Sequence, residues 1–140
     1  MKLKLCPLCH TTMAAFSIES LALDGCESCD GVWFDAEELR EYGRKMRLGN
    51  LPDRASSKPG PSVEGLVCPN CPGSQLAPED RAHPAIDGCV NCGGLFLGGV
   101  EMKKLHRRYM DRVRTEGGDD QVHAGDRARS ILDLIRSLFR

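Results

Sequence analysis

Eight cysteines stand in four Cys-x-x-Cys pairs: Cys6 and Cys9, Cys26 and Cys29, Cys68 and Cys71, Cys89 and Cys92. Such a turn presents two sulfurs on one side of the backbone. Two turns brought together across a hairpin complete a tetrahedron of soft donors. Sixteen residues separate the first two pairs and seventeen the last two, so all eight are expected as metal ligands, four in each half. Zinc suits four thiolates, has no redox chemistry and deprotonates the thiols it binds, so that metal binding and folding become one event worth ~10–16 kcal/mol in small zinc peptides. Two structural zinc ions, each held by its own set of four cysteines, are the expected cofactors. A tetrathiolate also accommodates iron, as in rubredoxin-like electron carriers, and visible absorbance separates the two metals.

Catalysis finds little support. A hydrolytic zinc keeps a coordination position for water, whereas four sulfurs fill the shell. No paired carboxylates, phosphate-binding loop or nucleophile elbow occurs, and no catalytic residue is expected. His10, His83, His106 and His123 read as solvated or packed side chains, because neither sulfur quartet lacks a ligand. The first cysteine arrives after five residues, before any apolar run long enough for a signal peptide, and no stretch approaches the ~20 apolar residues of a membrane span. These features predict a cytoplasmic chain, where reducing conditions favour metal ligation over disulfides.

The elements that must position the sulfurs repeat with the cysteines. Asp24-Gly25-Cys26 returns as Asp87-Gly88-Cys89, Gly31-Val32-Trp33-Phe34 as Gly94-Leu95-Phe96-Leu97, and Glu38-Leu39 as Glu101-Met102, all at an offset of 63. A repeat carrying its own four ligands implies one metal per half. Short strands are expected between the pairs, over Met13 to Glu19 and Leu21 to Leu23, with Pro78 and Pro84 interrupting the second copy. A helix should follow each last pair. Asp35 reads as an N-cap with Glu38 completing a capping box, and Leu39, Tyr42 and Met46 as its apolar stripe. Met102, Leu105, Tyr109 and Val113 form the matching stripe, with Gly98 in place of the cap. Aromatics are only 5% of the chain while Gly and Pro number 15 and 8, a composition that argues against one large core.

The expected fold class is a small metal-stabilised α+β protein: two four-cysteine knuckle units, which the resemblance given below implies are zinc ribbons, each followed by a helix, and a C-terminal amphipathic helix. The expected organisation is a first unit at 1–48, a linker at 49–65, a second unit at 66–115, a polar linker at 116–126 and the terminal helix at 127–140. The string Cys6-Pro7-Leu8-Cys9, then Cys26-Glu27-Ser28-Cys29-Asp30-Gly31-Val32-Trp33-Phe34-Asp35 with Glu37-Glu38-Leu39, resembles the transcription factor IIB-type zinc-finger family, here as a tandem repeat. The second unit is a looser match, with Phe96 for Trp33 and Gly98 for Asp35. The resemblance implies zinc ligation by the eight cysteines and a ribbon-plus-helix fold.

Charge bears on partners. The formal net charge is −1, and two metal-bound tetrathiolates would add four negative charges, which weighs against a general nucleic-acid binder. Residues 1–42 hold eight acids against three bases. Lys103, Lys104, Arg107, Arg108 and Arg114 nevertheless lie opposite the second helix stripe, where phosphates could be met. The segment from Ala128 to Phe139 gathers Ile131, Leu132, Ile135, Leu138 and Phe139 on one side of a helical wheel, a surface for a protein partner or for self-association. A non-catalytic interaction or regulatory adapter is the leading expectation, and a nucleic-acid-associated factor the alternative.

Overall fold

A computed structural model describes residues 3–18, 20–49, 51–55, 65–79 and 86–116. The first half contributes strands β1 (Ala14–Ile18), β2 (Leu21–Gly25) and β3 (Val32–Phe34), then helix α1 (Glu38–Lys45). The second contributes β4 (Ala77–Pro78), β5 (Ile86–Gly88), β6 (Leu95–Leu97) and helix α2 (Gly99–Glu116). β1 and β2 are the expected hairpin, with β2 running two residues beyond Leu23. β4, the counterpart of β1, stops after two residues at Pro78, which has no N–H to give to a ladder.

The six strands form one antiparallel sheet in the order β1-β2-β3-β6-β5-β4. Its centre is the pairing of β3 with β6, Val32 opposite Leu97, Trp33 opposite Phe96 and Phe34 opposite Leu95. The repeat offset maps each of these strands onto the other, so the pairing places a local two-fold axis between Trp33 and Phe96. The two ribbons thus continue a single sheet.

Both central strands are buried along their whole length, and alternation sends their side chains to opposite faces. Val32, Phe34, Leu95 and Leu97 face the two helices, where they meet Leu39, Tyr42 and Met46 from the α1 side and Met102, Leu105 and Tyr109 from α2. Trp33 and Phe96 face the other way, into a cluster that contains the cysteines. Each helix stripe is the one its periodicity predicts, and Val113 packs partly buried at the edge. The low aromatic content argues against a large core. Sixteen buried residues from both halves nevertheless form one under the helices, because the repeats pool their small apolar sets across the sheet.

The start of α1 differs from expectation. Glu37, not Asp35, precedes the first helical residue; it adopts a left-handed conformation (φ 76°) and makes no side-chain cap. The Asp35 carboxylate has stronger calls on it. It accepts from Lys4 Nζ at 2.8 Å, Trp33 Nε1 at 2.9 Å and Asn70 Nδ2 at 2.7 Å, leaving only its backbone carbonyl for the Glu38 N–H. Residues 51–55 have no regular structure but lie against the fold: Leu51 is buried, and the Ala55 N–H donates to the Gly93 carbonyl. Residues 127–140, including Ile131, Leu132, Ile135, Leu138 and Phe139, lie outside the described residues, as do His83 and His123.

Candidate metal centres

Each cysteine pair sits on a tight turn closed by backbone hydrogen bonds. In the first unit the Cys6 N–H donates to the Thr11 carbonyl at 2.8 Å and the Cys26 N–H to the Gly31 carbonyl at 2.8 Å. In the second, Cys68 donates to Ser74 at 2.8 Å and Cys89 to Gly94 at 3.0 Å. The chain leaves every turn through a left-handed residue: His10 (φ 64°), Asp30 (φ 62°), Gly73 (φ 81°) and Gly93 (φ 80°). Glycine takes that conformation freely, and Asp and His are among the side chains that tolerate it. Pro72 intervenes between Cys71 and Gly73, whereas His10 follows Cys9 directly. That one extra residue accounts for the spacing of seventeen instead of sixteen.

The turns bring the sulfurs together in two quartets, Cys6, Cys9, Cys26 and Cys29 in one and Cys68, Cys71, Cys89 and Cys92 in the other. All four Sγ atoms of a quartet lie within 4.8 Å of one another. Cys6 and Cys29 are 3.7 Å apart, and Cys68 and Cys92 3.6 Å. A tetrahedron with zinc–sulfur bonds of about 2.3 Å has edges of about 3.8 Å, so the spacing fits a thiolate-bound ion. All eight cysteines are free, not disulfide-bonded. In each pair the first cysteine is buried and the second half-exposed, in both units alike. The eight expected ligands are therefore assembled, four from each half. When bound, zinc would supply the positive charge that lets four clustered thiols ionise together.

Hydrogen-bond donors converge on several of the sulfurs. The Cys9 N–H donates to Cys6 Sγ at 3.4 Å, Gly31 N–H to Cys29 Sγ at 3.4 Å, and Asn70 N–H to Cys68 Sγ at 3.3 Å. Thr11 Oγ1 lies 3.8 Å from Cys26 Sγ, and its repeat counterpart Ser74 Oγ 3.6 Å from Cys89 Sγ. Burial alone raises the Cys26 and Cys89 thiols. The backbone N–H groups of their turns, with Thr11 or Ser74 and a neighbouring thiol, outweigh it and bring both down to about 7. Burial instead pushes Cys29 and Cys68 upward. Without a cation, then, Cys26 and Cys89 ionise readily while Cys29 and Cys68 resist.

The expected phosphate-facing residues of α2 are all exposed, but several are engaged. Lys104 pairs with Glu101 at 3.0 Å and Arg114 with Asp111 at 3.8 Å. Arg108 donates to the Leu48 carbonyl just beyond α1, and Arg112, which the sequence pattern did not single out, to the Arg47 carbonyl. Two arginines of the second repeat thereby satisfy carbonyls at the end of the first repeat's helix. Lys4, Asp35 and Asn70 were likewise not singled out for their shared hydrogen bonds. The one available signal was that Lys4 and Asn70 lie at cysteine turns.

A cleft of about 310 Å³ opens between the first turns of the two units, lined by Leu3, Leu5, His10, Val67, Pro69 and Pro72 together with Cys6 and Cys68. The Val67 N–H donates to the Pro7 carbonyl across it at 3.4 Å. Among the described residues, no helix is long and apolar enough to cross a membrane. Compared with known families, the chain matches the model of the transcription factor zinc-finger, a zinc ribbon of the transcription factor IIB type, twice, at residues 5–45 and 67–108. No curated protein and no solved structure matches it.

Proposed function

The chain belongs to the transcription factor zinc-finger family, and from that premise we propose that it is a non-catalytic protein-interaction module built around two structural zinc ions. Sulfur saturation carries the reading. Each quartet offers four thiolates to one ion, the donor set of closed structural sites, and leaves no position for a reacting water. The partner surface is the cleft between the first cysteine turns. Leu3 and Leu5, which line it, are 72% and 50% exposed, and Leu8, on the adjoining Cys6–Cys9 turn, is 54% exposed.

Charge specifies what fits it. Outside the helices and Arg47, the described residues hold two bases, Lys4 and Arg54, against eight acids, and each loaded quartet adds two negative charges. A partner segment that inserts apolar side chains and flanks them with Lys or Arg complements that surface. The test uses the full zinc-loaded chain as bait in a nuclease-treated extract, beside a Leu5→Glu/Leu8→Glu variant. The reading expects a partner that wild type retains, the variant loses and nuclease leaves untouched. Retention unaffected by the variant would refute it.

A second reading rests on the helix layer. α1, Arg47 and α2 together hold ten basic residues against five acidic ones, so positive charge concentrates on the face away from the sulfurs. A nucleic-acid role would use that face, with Lys103 and Arg107 as its exposed cations. Titration with a fluorescent DNA duplex of about 20 base pairs at two salt concentrations tests it, because phosphate contacts weaken steeply with salt. Salt-sensitive binding that Lys103→Ala/Arg107→Ala abolishes would favour this reading over the first.

A further inference from the structure

Gly31 and Gly94 occupy equivalent places, each two residues beyond the last cysteine of its quartet. A Cβ on Gly31 would stand 2.6 Å from Phe96 Cζ and 2.8 Å from Phe96 Cε1, with Cys29 Sγ at 3.1 Å. A Cβ on Gly94 would stand 2.0 Å from Trp33 Cζ2 and 2.7 Å from Trp33 Cη2. The rings are exchanged across the local two-fold: Phe96 of the second repeat lies beside Cys29 of the first, and Trp33 of the first lies on the turn that follows Cys92 of the second. Both rings are buried and share one cluster with the cysteines.

The helix starts are exchanged in the same sense. A Cβ on Gly99, where α2 begins, would meet the Cys29 carbonyl at 2.4 Å and Asp30 Cβ at 3.2 Å. Its counterpart Ala36, just before α1, lies with its Cβ 3.2 Å from where a Gly93 Cβ would be. Asp35 adds a polar link. It holds the Trp33 indole N–H and the Asn70 side chain on one oxygen, and the Asn70 N–H in turn donates to Cys68 Sγ.

We infer that each metal centre is completed by the other repeat: Trp33 is a positioning residue for the Cys68, Cys71, Cys89 and Cys92 quartet, and Phe96 for the Cys6, Cys9, Cys26 and Cys29 quartet. Each ring walls off the turn beside the opposite quartet, and a buried wall keeps water and protons from competing for thiolate. Release of one ion frees the turn on which the other repeat's ring and helix start lean. The two ions therefore load and leave as a linked pair. The inference rests on zinc occupying both quartets and is independent of which partner the module serves.

The full zinc-loaded chain is titrated with chelator while native mass spectrometry counts bound ions and cysteine alkylation locates the emptied quartet. Wild type should pass from two ions to none with little one-ion species. Trp33→Ala should accumulate a one-ion species alkylated at Cys68, Cys71, Cys89 and Cys92, about tenfold faster than wild type, in keeping with loss of one aromatic contact. Trp33→Phe, which copies the ring of the other repeat, should restore paired release. Phe96→Leu, a milder change that preserves an apolar core, should expose Cys6, Cys9, Cys26 and Cys29 first. Exposure of the quartet in the mutated repeat itself, or equal acceleration of both, would overturn the inference. A wild-type chain that binds no zinc would instead refute the metal reading beneath it.

Discussion

Lys4, Trp33 and Asn70 all donate to the Asp35 carboxylate, from three places that are far apart in sequence. Burial raises its pKa, but the donors outweigh burial and hold the carboxyl below its ordinary range. A depressed carboxyl contributes stability that is present above its unfolded pKa and lost as pH falls through the folded value. Asp35→Asn should therefore cost about 1 kcal/mol at about pH 7 in urea unfolding, a figure discounted for a side chain that is 38% exposed. Glu38 behaves oppositely. Burial, then the Asp35 charge, push it up to about 7. A raised carboxyl opposes folding increasingly as pH climbs from its unfolded value through the folded one, so Glu38→Gln should stabilise the chain more at about pH 8 than at about pH 6. An equal effect at both pH values would contradict the assignment. The cysteine ligands were fully legible, since spacing alone determines which sulfurs share a turn. The role of Asp35 was not. Locally it reads as a helix cap, and only the folded chain brings Asn70, thirty-five residues away, into reach.

Helices were legible through their stripes, because burial on one face leaves a 3.6-residue period in the chain. The strands were harder. β3 and β6 have three residues each, too few for alternation to reveal a pairing partner, and nothing in Val32-Trp33-Phe34 announces that it will lie against Leu95-Phe96-Leu97. The same short pairing converts two repeats into one sheet. The contacts from Arg108 and Arg112 to the end of α1 belong to this level as well. Replacing both with Ala should lower stability by about 1 kcal/mol, since carbonyls at a helix end lose their donors. Amide exchange at Met46, Arg47 and Leu48 should accelerate while exchange in β2 stays slow. Uniform acceleration would mean that the arginines do no local work at that helix end.

At the scale of the molecule, the sheet divides two chemistries. One face carries the helices, the shared apolar core and a surplus of cations. The other carries the sulfur quartets and the exchanged rings. Composition disclosed the shortage of aromatic residues but not how the repeats would compensate, because pooling a core depends on the pairing at the centre of the sheet. With Trp33 and Phe96 packed in the same cluster as the cysteines, removal of metal should disturb both faces together. The most direct measurement is native mass spectrometry of the freshly purified full chain as chelator is added, with its charge-state distribution read alongside the bound mass. Two zinc ions per chain, and a shift to the highly charged ions of an unfolded chain as they depart, are the predicted result. A metal-free chain that keeps the compact distribution, or one whose bound mass is iron, would contradict it.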